Sequence, residues 1–383
     1  MLTGHTIKPK AGKIMVADVF FADMRAKHRE NLLDKVERLF TRARMKELIA
    51  PQDLVAIKVH FGERGNTGYI RPQFIRRLVQ LIKNLGGKPF LTDANTLYVG
   101  SRANAVDHLQ TAIENGFAYA VVDAPLIIAD GLVGKDYVNV PVKMKHFDKV
   151  KISSVIYHAS ALLAISHFKG HELVGFGGAL KNIGMGSGSR GGKQMMHSDV
   201  RPEINAQKCL GCAMCVQWCP AGAITVERKK YKARIDAQKC IGCGECTITC
   251  PHRAIAISWK TEPHIAQEKI VEYAAGVLKN KQSKAGFINF VLNVSPECDC
   301  AGWTDASIVR DVGILASLDP VALDQACVDL VNKERGLPES RLAGCEDTPD
   351  KFGAIWPGAN WERQLTYAQE AGLGTRTYNL IKI

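Results

Sequence analysis

The sequence predicts an α/β fold, a mainly parallel sheet covered by helices. Two observations carry this: short apolar runs of strand period alternate with apolar stripes of helical period, and proline or glycine stands at the joints. Val55, Ile57 and Val59 alternate with Ala56, Lys58 and His60, as in a strand that turns a polar pair to one face. Pro72 opens a helix where its missing N–H costs nothing; Phe74, Ile75, Leu78, Val79, Ile82 and Leu85 form its stripe, and Gly86-Gly87 closes it. Residues 88–92 form the next strand, ending at Asp93. Ser101 is placed to cap a helix carrying Ala105, Val106, Leu109 and Ile113, which stops at Gly116. Residues 119–122 and 154–165 read as further strands. Later in the chain a helix over about 266–279 precedes a strand over 287–294. Asp319, before Pro320, is an N-cap for a last helix, and Asp324 lies one turn in, where the helix dipole favours it.

Between these halves the pattern is interrupted by two cysteine runs. Cys209-x2-Cys212-x2-Cys215-x3-Cys219-Pro220 recurs 31 residues later as Cys240-x2-Cys243-x2-Cys246-x3-Cys250-Pro251. This is the ligand spacing of a bacterial-type two-cluster ferredoxin, in which the fourth cysteine of each run crosses to the other cluster. Cys209, Cys212, Cys215 and Cys250 are therefore expected to hold one [4Fe–4S] cluster, and Cys240, Cys243, Cys246 and Cys219 the second. The flanks repeat as well: Asn205-Ala-Gln-Lys and Asp236-Ala-Gln-Lys lead in, and Ala223-Ile224 and Ala254-Ile255 follow as apolar pairs suited to shield a cluster. Zinc sites instead usually pair two CxxC hooks, without a third cysteine and a Cys-Pro. The expected organisation is an α/β core in two pieces, 1–199 and 261–383, with a ferredoxin-like 2[4Fe–4S] domain inserted at 200–260.

The 383 residues, 46% apolar and 23% charged, fit an ordinary soluble protein whose core outside the insert has about 320 residues to bury. Twelve cysteines without a signal peptide predict a reducing, cytoplasmic setting and no disulfide framework. The longest apolar stretch, 152–165, is broken by serines and His158 and is too short to span a bilayer, so no membrane role is expected. Two oxidised clusters would lower the formal charge of +12 to about +8. The basic run 228–232 has no nucleic-acid-binding motif around it; a solvated hairpin, or a docking face for an acidic redox partner protein, is the better reading.

Four further constellations fall at expected strand ends. The loop 58–72 carries His60, Arg64 and Arg71 among glycines at 62, 65 and 68, and its arginines suit a carboxylate or phosphate. Asp93, in Thr92-Asp93-Ala94-Asn95, is placed to line the same crevice. Ser166-His167-Phe168-Lys169-Gly170-His171-Glu172 leads to Gly175-Phe-Gly-Gly-Ala-Leu-Lys181-Asn182, where His167 and Lys181 are the strongest candidates for a buried ligand site. The glycine-rich tail 184–192 could cradle an anion or serve as a linker. Cys298-Asp299-Cys300 ends a strand, its cysteines too close for an ordinary disulfide; metal ligation, redox chemistry and simple buried thiols all remain open there. Cys327 and Cys345 carry no spacing signal and read as buried thiols. No G-x-G-x-x-G stands between a strand and a helix, so no nicotinamide or flavin fingerprint is present.

Gly68-Tyr-Ile-Arg-Pro-Gln-Phe-Ile, Leu91-Thr-Asp-Ala-Asn-Thr-Leu-Tyr, Lys181-Asn-Ile-Gly, Cys298-Asp-Cys300 and Asp319-Pro-Val-Ala-Leu-Asp324 together resemble the iron–sulfur centre proteins of the family catalogued as domain of unknown function 362. The resemblance spans nearly the whole chain and implies a prokaryotic, redox-linked role. His171 to Lys181 is also somewhat similar to the lysine segment of the nickel-pincer lactate racemases, although Gly177-Gly178-Ala-Leu-Lys181 stands where that family has Gly-Gly-Arg-Lys. The leading expectation is an iron–sulfur protein, a candidate oxidoreductase. Its clusters would exchange electrons with a core pocket of His60, Arg64, Arg71, Asp93, His167 and Lys181 that binds a small anionic substrate. The alternatives are a non-enzymatic electron carrier or cluster-delivery protein, and a racemase- or lyase-like core with regulatory clusters.

Overall fold

The computed structural model describes residues 16–98, 100–197, 202–219, 221–227, 230–240, 245–256 and 262–383. Eight strands form one sheet: β1 (Ala17–Asp23), β2 (Leu54–Val59), β3 (Lys88–Asp93), β4 (Leu126–Ile128), β5 (Ala161–His167), β6 (Ala285–Val291), β7 (Gly313–Ser317) and β8 (Tyr378–Lys382), in the order β8-β1-β7-β6-β5-β2-β3-β4. All neighbours pair parallel except at β7, which runs against both β1 and β6. The expected α/β class with a mainly parallel sheet is what the chain forms.

Alternation along the strands assigns the two faces. Val55, Ile57, Val59, Leu91, Leu163, Ile165, Ile288 and Phe290 pack on one side, against α1 (Leu32–Arg42) and α2 (Pro72–Asn84). Ala56, Phe90, Leu162, Ala164, Phe287 and Leu315 face the other side. Both faces are covered, as a parallel sheet requires. α1 starts at Asn31, whose side chain accepts the amides of Leu33 and Asp34 at 2.8 and 3.2 Å, closing a capping box. α2 begins at Pro72 and buries Phe74, Ile75, Leu78, Val79 and Ile82, as its stripe predicts.

Several elements differ from expectation. Residues Tyr119–Val122 form a helical turn closed by Asp123 in the left-handed region; the strand comes after Pro125. A short β-branched apolar run does not distinguish strand from helix, and here Tyr119 and Val121 face solvent. The stretch 154–165 is two elements, a helix Ser154–His158 and then β5. The helix α3 (Ala105–Ala112) is capped by Asn104, which accepts from Val106 and Asp107 at 3.0 and 3.1 Å. Ser101 is spent elsewhere, bonding Glu63.

Beyond β5 follow α4 (Ala179–Ile183), α5 (Arg190–His197), α6 (Pro263–Leu278) and α7 (Pro320–Lys333). Asp319 caps α7 as expected, accepting from Val321 and Ala322 at 2.9 Å each. Asp324 does not act on its own helix. It caps α4 instead, taking the amides of Ala179 and Leu180 at 2.7 and 2.9 Å and the Asn289 side chain at 2.7 Å. No helix among the described residues is long and apolar enough to cross a membrane.

Candidate functional site

The carboxyl ends of β2, β3, β5 and β6 share one edge of the sheet, where an open α/β sheet presents ligands. A cavity of about 790 Å³ lies there. β2 supplies Lys58 and leads to His60, β3 ends in Asp93, β5 ends in His167, and the turn after β6 brings Cys298 and Cys300.

Its floor is a buried ion network. Lys58 Nζ reaches Asp93 Oδ1 at 2.8 Å and Asn182 Oδ1 at 2.7 Å. Arg102 bridges Asp93 Oδ2 and Glu63 Oε2, both at 3.3 Å, and donates to the Tyr98 hydroxyl at 2.6 Å. Burial works against ionisation of Asp93, but the charge of Lys58, with His60, His108 and Arg102 behind it, holds the carboxyl far below the usual range. Burial lowers Lys58 as well, and it depresses His60 well below an ordinary histidine. His60 Nδ1 accepts the Gly62 amide at 3.1 Å.

The wall is the Cys298-Asp299-Cys300 turn. Asp299 is fully buried between His167 Nδ1 at 2.8 Å and Lys169 Nζ at 3.4 Å. His167 Nε2 lies 2.8 Å from the Leu292 carbonyl, so both ring nitrogens are committed and the residue positions the turn. Lys181 Nζ donates to Cys298 Sγ at 3.3 Å. The hydrogen bond from Cys300, with Lys181 and Lys169 nearby, brings the Cys298 thiol well below its ordinary value. The same bond pushes Cys300 up. Lys181 is carried on α4, whose start at Gly178 approaches Asp324 so closely that a Cβ would overlap the carboxylate.

Of the sequence-predicted residues, His60, Asp93, His167, Lys181, Cys298 and Cys300 line this one cavity. Arg64 does not: it is 57% exposed and pairs with Glu114 at 3.0 Å. Arg71 borders a separate hollow of about 280 Å³ with Thr67, Phe74 and Asp311. Neither arginine lines the cavity, although Glu63 of the same loop does. Sequence reasoning did not select Arg102, Lys193 or His197, which also line the cavity. Lys193 is lowered to about 8 and His197 to about 3, each chiefly by burial. Arg102 falls in no pattern, and Lys193 and His197 lie just past the glycine-rich stretch 184–192, outside any pattern.

The cysteine-rich segment forms its own small apolar cluster. Cys209, Cys212 and Cys215 line a hollow together with Cys250 from the other run, beside Ile204, Ala233, Ala254 and Ile255. Amides point at sulfur from Ala233 to Cys209 (3.3 Å), Ala254 to Cys250 (3.3 Å) and Ala223 to Cys219 (3.2 Å). Ala223, Ile224, Ala254 and Ile255 are all buried. Cys246 is buried and Cys240 half-buried. Cys243, Pro220 and most of the repeat's end at 257–260 lie outside the described residues. The segment rests on the core where Glu245 meets Lys151 Nζ at 2.5 Å and Lys135 Nζ reaches Thr249 Oγ1 at 2.8 Å and lies over the Trp218 ring at 3.5 Å. Its helix Glu245–Thr249 packs against α5, which carries Lys193 and His197. Of the two unassigned thiols, Cys327 is buried as expected, but Cys345 is exposed.

A mainly parallel α/β sheet with a charged cavity at its carboxyl edge and a cysteine-rich segment beside it defines the class. The chain belongs to the family described as Domain of unknown function (DUF362), which matches residues 55–329. Among solved structures, the lactate racemase apoprotein from Thermoanaerobacterium thermosaccharolyticum is similar with a TM-score of 0.37 and 13% identity, over 72% of this chain and 51% of that one. A structural-genomics protein from Thermotoga maritima gives a TM-score of 0.32 and 9% identity, over 68% and 50%. The chain thus spans about half the length of either protein. No curated protein matches the sequence.

Proposed function

We propose that the chain is an iron–sulfur redox protein built from an α/β core and a two-cluster ferredoxin-like insert. Cys209, Cys212, Cys215 and Cys250 would hold one [4Fe–4S] cluster, and Cys240, Cys243, Cys246 and Cys219 the other. Bound there, the clusters would supply single-electron transfer to or from a ligand in the core cavity. The observation that carries the reading is the crossover: three sulfurs of the first run and the last sulfur of the second line one apolar hollow. Amide groups aimed at Cys209, Cys219 and Cys250 are the polar contacts that metal-bound thiolates accept, and the donor set is all soft sulfur.

The cavity supports a ligand site over a bare docking protein. It is a concave space whose largely apolar walls carry a set of charged side chains, not a flat exposed patch. Its walls carry Lys58, Arg102, Lys169, Lys181 and Lys193 against the carboxylates Glu63, Asp93, Glu172 and Glu297; Lys181 and Lys193, outside the Lys58–Asp93–Arg102–Glu63 network, are the groups suited to a small anionic substrate. His171 and His197 also line the cavity, each with its pKa lowered chiefly by burial. The turn of Asp299, anchored by His167 and Lys169, fixes the sulfur-bearing wall.

Anaerobic purification of the full chain tests this. About eight iron and eight inorganic sulfide atoms per chain are expected. Zinc without sulfide would remove the electron-transfer reading.

A further inference from the structure

We propose that His171, Cys298 and Cys300 form a binding site for one thiophilic divalent metal ion of the zinc(II) type, set in the cavity wall with a coordination position open to the cavity. The site is separate from the cysteine runs and stands whatever those hold.

One ligand atom from each of the three residues lies within 4.8 Å of the others. Two sulfurs and an imidazole nitrogen are a donor set that zinc(II) takes in tetrahedral geometry, and three protein ligands leave the fourth position for water or substrate. All three residues line the 790 Å³ cavity, so that position faces the ligand space.

Two independent features hold the three residues in place before any metal arrives. The first is the buried anchor of the turn: Asp299, between the two cysteines, is fixed by His167 at 2.8 Å and Lys169 at 3.4 Å. Such outer-shell partners orient ligands and tune affinity. The second is a close backbone approach. His171 ends a two-stranded hairpin, Lys169–His171 with Gly175–Gly177, and Gly170 within it packs directly on the turn. The Gly170 amide bonds the Ser295 carbonyl at 2.8 Å, and a Cβ at Gly170 would overlap the Pro296 carbonyl oxygen. Only glycine lets the histidine strand come this near the cysteine turn.

The charges balance. Two thiolates neutralise a divalent ion, and whatever protons the thiols still carry leave to solvent on binding. Lys181, 3.3 Å from Cys298 Sγ, then donates to a metal-bound sulfur. The competitors for the imidazole lone pair at Nδ1 are the Leu173 amide, an ordinary hydrogen bond at 3.1 Å, and the Val174 amide, a longer contact at 3.4 Å.

The test is a zinc(II) titration of the anaerobically purified full chain, followed by zinc K-edge X-ray absorption, which iron does not obscure. One equivalent of zinc with a first shell of two sulfurs and two nitrogen or oxygen atoms is expected. The Cys298→Ser/Cys300→Ser double variant should lose that equivalent while keeping its iron and sulfide, and His171→Gln should weaken binding by about tenfold or more. A shell of four sulfurs, which would place zinc in the cysteine runs, overturns the proposal. So does zinc uptake equal in wild type and double variant, or no uptake at all. The wild-type shell decides even if a variant misfolds, and iron content reports separately on the cluster reading.

Discussion

The cysteine-rich segment and the core cavity hold their chemistry in opposite ways. In the segment, seven of the eight run cysteines are described, and the cysteine pattern is local: two or three residues stand between successive cysteines, with crossing only between two runs 31 residues apart. In the cavity, the groups in contact come from residues as distant as Lys58, Asn182 and Cys298, joined only because parallel strands end on one edge. The first arrangement tolerates a thin core around it, since metal bonds would hold it. The second needs buried ion pairs, and the network of Lys58, Asp93, Arg102 and Glu63 is spent largely on its own charge balance.

That contrast predicts a graded set of mutational effects. The largest belongs to the segment. Cys219→Ser should cut iron from about eight to about four atoms per chain and remove the cluster assigned to Cys240, Cys243 and Cys246. Site-resolved spectra showing the loss at Cys209, Cys212 and Cys215 instead would break the crossover. Next comes the cavity floor. Asp93→Asn leaves Lys58 and Arg102 buried without their shared carboxylate, and should cost about 3–5 kcal/mol in unfolding free energy measured by denaturant. A loss below about 1 kcal/mol would mean that the network is not closed as described.

A smaller effect is pH-dependent. Burial lowers His108 from 6.5 to about 3, so the unfolded chain takes up a proton in that interval while the folded chain does not. Stability is therefore lost as pH falls through the window. Replacing His108 by phenylalanine, which can keep the edge contact with Phe61, should remove about 1.5 kcal/mol of that loss between pH 6.5 and 5 relative to wild type. Parallel pH dependences for the two proteins would contradict it. The smallest effect is expected at Arg64. Its pair with Glu114 is exposed and screened, so Arg64→Ala should leave the unfolding midpoint and anion binding to the cavity unchanged.

How much was legible follows the same division. The helix α2 and the strands β2 and β3 were readable because Pro72, the Phe74-to-Ile82 stripe and Gly86 act locally. The strand order was not, since β7 enters antiparallel and β8 returns to pair with β1 from the far end of the chain. His60, Asp93, Lys181 and the cysteine turn were visible because each follows a strand. Arg64 and Arg71 misled because charge beside glycine looks the same whether or not the side chain lines a cavity. His167 lines the cavity, but its nitrogens are engaged structurally, Nδ1 with Asp299 of the turn and Nε2 with the Leu292 carbonyl. Lys193 and His197 were hidden because they lie just past the glycine-rich stretch 184–192, outside any pattern, yet they stand on the helix between segment and cavity.

That helix gives the most direct test of the central claim, that segment and cavity form one redox unit. Lys193, charged below about pH 8, stands on the helix that packs against Glu245–Thr249. An EPR-monitored redox titration at pH 7 should show two [4Fe–4S] centres. Lys193→Gln should lower the potential of the one held by Cys240, Cys243, Cys246 and Cys219 by on the order of tens of millivolts, leaving the other unmoved. No titrating iron–sulfur signal, or equal behaviour of both centres in the variant, would contradict the account.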